Sequence, residues 1–309
     1  MGPYDDRVSV VTTSALPDRT LLSSGMQGLV GSDMTDATTG SGRVMAGMAA
    51  RAGRSAVSIG FAILVLLAVW LGFIKAFAIN PIVAKDPLDV LRYLVTGSDV
   101  GAHWSHIGTG LKQTSVDAGV GFVVGLAVAF AIAVLFVLSQ TIEAAFLPIA
   151  MIIRSVPLVA MTPVITLVFG RGLLGTTVVS GIVVFFPSLV IMVFGLRSAP
   201  RQAADLCRAY GGSSWMTLRK VAVPSALPSI FASARIAVPG ALIGALLAEW
   251  LATGKGLGAQ MLTDGSTFGY DDLWASVVVV TVASVLIYAL VGVLETVVLA
   301  RFGPAPTRH

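Results

Sequence analysis

Apolar residues run along this chain in long blocks, not in the alternation of strands or the narrow stripe of a surface helix. A helix that crosses a bilayer needs about 20 mostly apolar residues rising about 1.5 Å each. Six stretches meet that requirement: 55–79, 115–138, 142–169, 173–196, 227–251 and 275–300. Only a short polar break at Ser139 and Gln140 separates the second from the third, which predicts a tight hairpin. The pattern therefore predicts an all-α integral membrane protein with six transmembrane helices. Pro148, Pro157 and Pro163 fall inside the third stretch and are expected to break it, because proline lacks the amide donor a helix needs. Carbonyls freed at membrane depth must be buried or face a cavity.

Residues 1–50 read differently. They are rich in Ser, Thr, Gly and Asp, hold no sustained apolar run, and are expected to form a mobile cytoplasmic N-terminal tail before a six-helix transmembrane domain over 51–309. No positive start leads into a short apolar core, so a secretory signal is not expected. A start at Met45 or Met48 would remove the tail and leave the membrane part intact.

Composition narrows the class. Charged residues make up 12% of the chain, about half the share in soluble domains, and 56% is hydrophobic. An ordinary soluble enzyme, a disordered chain and a collagen-like fibre are excluded. The single cysteine, Cys207, excludes a disulfide framework and a cysteine-cluster metal site. The net charge of +4 matters less than where the basic residues lie. Arg51 and Arg54 precede the first span, Arg197, Arg201, Arg208, Arg219 and Lys220 lie between the fourth and fifth, and Arg301 follows the sixth. With six spans all three groups fall on one side, which the positive-inside rule makes the cytoplasm, so both termini are expected there. Residues 80–114 then lie outside, with a short surface helix near 87–96.

Catalytic chemistry is not evident. There is no Walker-type glycine loop to cradle a nucleotide. Gly254-Lys255-Gly256-Leu257-Gly258 follows a span and reads as a turn. His103 and His106 share helical spacing, but without a thiol or a nearby carboxylate in sequence they read as surface histidines before metal ligands.

The informative segment runs from Arg197 to Pro228. Ala203, Leu206, Cys207 and Tyr210 recur at helical spacing, Gly211 and Gly212 end that helix, and Ser213 or Ser214 can cap a second one. Trp215, Met216, Leu218 and Val221 supply the second apolar face, and Pro224 and Pro228 are expected to close it. Lipid headgroups or a partner protein could cover such a bent amphipathic element.

Here a resemblance enters. Asp205-Leu206-Cys207, three residues, Gly211, nine residues and Val221-Ala222-Val223-Pro224 resemble the cytoplasmic EAA loop of permease subunits of binding-protein-dependent ABC importers, with Asp205 where the family has Glu. Arg154-Ser155-Val156-Pro157, Thr162-Pro163, Phe185-Phe186-Pro187, Gly195-Leu196-Arg197 and Ala248-Glu249-Trp250 resemble the branch that imports sulfonates, taurine, nitrate, bicarbonate and thiamine precursors. Ile191-Met192 stands where that branch often has Asn-Thr.

The resemblance implies the type I importer permease fold in the cell membrane. It implies a second permease subunit (the same chain or another), two ATPase subunits, and an extracytoplasmic binding protein that delivers a small solute. ATP and Mg are then bound by the ATPase; this chain is expected to bind no cofactor, no metal and no nucleic acid, and not to be an enzyme. The ATPase-coupling residues it implies are Ala204, Asp205, Leu206, Cys207, Arg208, Tyr210, Gly211, Gly212, Ser214, Trp215 and Pro224. The translocation pathway is expected at Arg154, Pro157, Met161, Phe185, Phe186 and Pro187, with Glu249 at the outer mouth or at a solvated helix end. For Arg154, a gate or structural role shared by the branch stands beside a counter-ion role. Arg235 is expected to snorkel, and Gly121-xxx-Gly125 and Gly240-xxx-Gly244 to allow close helix packing. The competing reading is an ion-coupled secondary transporter acting without an ATPase. It calls for repeated halves and paired charged residues in the spans, and neither is evident in the sequence. An intramembrane enzyme would need a dyad that is equally absent.

Overall fold

The computed structural model describes residues 60–96 and 99–302. The expected tail and the residues leading into the first span, including Arg51 and Arg54, lie outside the described residues, as does His309. The chain divides at Phe73–Ile74, and helix α1 (Gly60–Ala76) crosses that boundary. All regular structure among the described residues is helical. After α1 come α2 (Pro87–Val95), α3 (Val100–Leu138), α4 (Gln140–Ser155), α5 (Leu158–Phe169), α6 (Leu173–Arg197) and α7 (Arg201–Ala209). There follow α8 (Ser214–Thr253), α9 (Leu257–Ser266) and α10 (Tyr270–Phe302).

Four of these helices, α3, α6, α8 and α10, are long and apolar enough to cross a membrane, and α4 with α5 makes a fifth span if the bent pair is counted together. The first expected span, 55–79, falls on α1, a shorter apolar helix of 17 residues. Leu286, Val293 and Val297 are among many large apolar side chains exposed on α10, a surface suited to acyl chains and not to water.

The third apolar stretch is not one rod. It breaks at Val156–Pro157 and turns through 102° between α4 and α5. Val156 takes the extended backbone that a following proline favours, and Pro157 opens α5 at a position that needs no amide donor. Of the three prolines expected to break the stretch, only this one does; Pro148 and Pro163 lie inside continuous helices.

At the centre α6 packs between α3 and α8. The close approach depends on small residues: a methyl group built on Gly125 of α3 would come within 2.8 Å of the Gly181 carbonyl oxygen of α6. From the other side Gly240 and Gly244 of α8 meet Val183 and Ser180 of α6, and the Ser180 hydroxyl donates to the Ala241 carbonyl at 2.9 Å. Both glycine pairs thus serve packing within the chain.

The second half of the bent element departs from the expected break at Pro224 and Pro228. Helix α8 continues through both prolines. A π turn at Leu218–Ala222 lets the Val223 amide bond the Leu218 carbonyl five residues back, so Pro224 follows a widened turn that accommodates its ring.

Candidate functional site

The two ends of the bundle differ in chemistry. At one end lie the C-terminus of α3, the N-terminus of α4 and the Arg197–Lys220 segment, where Arg197 pairs with Glu143. At the other end α2, α9 and the start of α10 form an acidic network. Lys85 meets Asp271 at 3.0 Å, and the Tyr93 hydroxyl donates to Asp272 at 2.6 Å. Burial, and then the bond to Asp272, hold the Tyr93 phenol well above its ordinary range. His103 lies against Tyr93, and His106 sits 3.5 Å from Asp264, whose carboxyl is pushed up by burial and partly drawn back by His106. The histidines are therefore not bare surface residues: carboxylates distant in sequence reach both. No cluster of three or more metal-ligating side chains occurs among the described residues.

The bent element at the basic end is defined by its hydrogen bonds. Helix α7 closes in a Schellman motif: the Gly211 amide donates to the Arg208 carbonyl at 2.8 Å and the Gly212 amide to the Cys207 carbonyl at 2.9 Å. Gly211 takes φ +78°, with open space where a side chain would stand. Gly212 is held by space instead, since a methyl group there would reach within 2.6 Å of the Cys207 carbonyl oxygen. Ser213, not Ser214, caps α8 by accepting from the Met216 amide. Leu218, Ala222 and Ala226 of α8 bury among Phe136, Met192 and Leu196, which pins the second arm to the bundle. Helix α7 buries no side chain; Asp205 and Arg208 pair loosely at 3.5 Å on its exposed surface. Leu206, Tyr210, Trp215 and Met216 are all exposed, Tyr210 by 86%, so the element presents uncovered apolar side chains along with exposed Arg201, Arg208, Arg219 and Lys220. Ala204 and Ser214 face a cavity of about 400 Å³ beneath the element.

A second cavity, of about 360 Å³, opens where α4 turns into α5. Arg154, Pro157, Met161, Phe186 and Pro187 all line it, joined by apolar Ile165, Ile182 and Val183. Ile182 to Pro187 lie near the middle of the 25-residue α6, so the cavity stands at mid-depth. Among the described residues Arg154 is the one cation in its lining, beside Ser155 and otherwise apolar side chains, and a charge at that depth is expected to face such a cavity.

Two expected pathway residues lie elsewhere. Phe185, its ring edge-on to Phe186 at 5.0 Å, lines a neighbouring groove with Val124 and Val128 of α3 and not the cavity. Glu249 is neither at an open mouth nor at a solvated end. It is fully buried: its Oε2 accepts from the Thr114 hydroxyl at 2.8 Å and the Gly258 amide at 2.9 Å, while the Thr114 oxygen accepts the Leu257 amide at 2.9 Å. The glycines of the 254–258 turn make room for it. Gly254 and Gly256 take φ +66° and +89°, and a side chain on Gly256 would overlap the Glu249 carboxylate. The turn does cradle an anion, and the chain itself provides it.

The family described as "Binding-protein-dependent transport system inner membrane component" matches residues 105–303, from the start of α3 to the end of α10. The chain belongs to that family. It is similar to a "Probable ABC transporter permease protein" of Haemophilus influenzae, with 30% identity over 72% of this chain and 89% of the relative. A formylaminopyrimidine transport permease protein of Halalkalibacterium halodurans is 27% identical over 76% of this chain and 92% of its own length. The taurine transport system permease protein of Escherichia coli is 26% identical over 72% and 82%.

The chain is thus a multi-pass membrane permease subunit of a binding-protein-dependent ABC importer, and the secondary-transporter reading is not supported. Charged residues in the spans do pair, contrary to the reading of the sequence. Arg235 of α8 does not snorkel but pairs with Glu295 of α10 and lies 5.8 Å from the Tyr288 ring centre. Asp117 of α3, unremarked in the sequence, is brought beside Glu249. Each is a lone charge in an apolar run, and that was the available signal; their pairing depends on helix packing that spacing does not reveal.

Proposed function

We propose that this permease forms half of a translocation pathway with a second permease subunit, and that the bent element α7–α8 docks on a separate ATPase subunit. The observation that carries the proposal is the uncovered apolar face of Leu206, Tyr210, Trp215 and Met216 on a glycine-pinned scaffold at the basic end. Lipid alone would be a poor partner for α7, which buries nothing against its own bundle and has a 400 Å³ cavity beneath it. The basic end faces the cytoplasm by the positive-inside rule, with both termini there and six spans in all. ATP and Mg belong to the ATPase, whose closure moves α7 and the start of α8 together. Moving a two-state pathway from about 1:99 to 99:1 takes about 5.5 kcal/mol of differential interaction, which nucleotide binding and hydrolysis on the ATPase would supply.

The mid-depth cavity is the pathway segment of this subunit, and a binding protein delivers a small solute to it from outside. Relatives carry solutes as different as taurine and a formylaminopyrimidine, so the lining here, apolar but for Arg154 and Ser155, sets only the class: a compact solute able to face a cation. Co-purification tests the coupling half of the proposal. The full-length chain should retain an ATPase subunit that is lost when Tyr210 and Trp215 are both replaced by Asp. An unchanged yield of ATPase would refute it. In reconstituted complexes Arg154→Ala should lower uptake at least tenfold, with Arg154→Lys recovering part of it. Uptake unaffected by Arg154→Ala would remove the cavity from the pathway.

A further inference from the structure

The importer reading leaves one buried group unused. Glu249 is fully enclosed, and only one of its oxygens is satisfied: Oε2 takes the Thr114 hydroxyl and the Gly258 amide, while Oε1 receives no hydrogen bond. The Asp117 carboxyl, 3% exposed, lies within hydrogen-bonding reach of it. Among the described residues Asp117 accepts a hydrogen bond from the Gln113 side-chain amide alone, 3.2 Å from each oxygen.

No cation offsets this pair among the described residues. Helix α9 offers the Gly258 amide and turns Asp264 to His106. Helix α10 directs Asp271 to Lys85 and Asp272 to Tyr93. Helices α5 and α6 carry no charged side chain where they pack near the junction. Two carboxylates in contact, out of water and without a counter-charge, cannot both be ionised, whereas a carboxyl donating to a carboxylate satisfies the orphan oxygen.

We propose that Asp117 and Glu249 bind a single proton between them, so that the junction of α3, α8 and the glycine turn before α9 is a proton-held latch. The proton completes a continuous set of bonds: Gln113 to Asp117, Asp117 to Glu249, Thr114 and Gly258 to Glu249, and Leu257 to Thr114. Three segments meet at that set. Removing the proton leaves two anions facing each other across the α3–α8 contact and loosens the turn that leads into α9. The site is independent of the ATPase-docking element, so it stands or falls apart from the proposed function.

Infrared difference spectroscopy on the full-length chain in lipid nanodiscs at neutral pH tests this. Wild type should show the carbonyl stretch of a protonated carboxylic acid, and that band should be missing from both Glu249→Gln and Asp117→Asn. Each of these amides is a near-isostere that can donate across the pair, so each variant should fold. As an independent measure, the Tm of wild type should fall as the pH is raised through the alkaline range, while that of Glu249→Gln stays level. A wild-type spectrum with no acid band relative to the variants, a band that survives in either variant, or matching alkaline Tm profiles for wild type and Glu249→Gln would overturn the proposal.

Discussion

Replacing Gly211 separates a conformational requirement from a steric one. The residue takes φ +78° with nothing near the position of a would-be Cβ, so a larger side chain meets no neighbour. What it meets is the backbone penalty of the left-handed region, about 1–2 kcal/mol for an ordinary L-residue, least for asparagine and greatest for a β-branched residue. Helix α7 has little to set against that penalty, since it buries no side chain. A cost of about 1–2 kcal/mol lowers the population of the native turn by about 5- to 30-fold. In liposomes holding the complete importer, ATP-driven uptake should fall in the order wild type, Gly211→Asn, Gly211→Ala, Gly211→Val. ATP hydrolysis should persist throughout, with its site, as proposed, on a separate subunit. Transport by Gly211→Val at the wild-type rate would refute the reasoning. An asparagine variant as impaired as the valine one would show that volume and not φ is the constraint.

Two further substitutions probe the bundle. Thr114→Val keeps the shape but removes the hydroxyl that bonds Glu249 and accepts from the Leu257 amide. The buried amide loses its partner and the carboxyl loses one, and together these should cost about 2–4 kcal/mol in detergent unfolding, with Thr114→Ser retaining most of the stability. Gly125→Leu drives a side chain into the Gly181 carbonyl and Val184, so it should cost about 3 kcal/mol or more and reduce the yield of folded protein. Gly119→Leu, on an open face of the same helix, should leave the yield unchanged in the same assay.

Local chemistry was legible in the sequence where it is carried by neighbouring residues. The Gly211–Ser213 corner is such a case: a left-handed residue, a Schellman closure and a serine cap all lie within a few positions, and the structure places them as the residue types demand. The gathering of Arg154, Pro157 and Met161 with Phe186 and Pro187 was also readable, because the break at Pro157 frees backbone groups that need a cavity, although Pro148 and Pro163 bring no break. Three features were not. Helix α8 runs through Pro224 because a π turn absorbs it, and no residue type announces a π turn. Phe185 and Phe186 are adjacent in sequence with rings 5.0 Å apart, yet only Phe186 lines the cavity while Phe185 lines the neighbouring groove, a matter of helix rotation. Glu249 turned inward because the partners it needs, Thr114 and the Gly258 amide, come from other helices.

The continuity of α8 has a mechanical consequence. One unbroken helix of 40 residues joins the basic corner to the glycine turn at the opposite end, about 60 Å away at an ordinary helical rise. The helix is continuous from Ser214 to Thr253 through its π turns and prolines, so a tilt imposed at the first would reach the second with the sense set by a fulcrum between them. That fulcrum is the glycine contact with α6, where Gly244 rests on Ser180. The subunit therefore needs no relay of side chains to report at one membrane face what has happened at the other: a seesaw suffices.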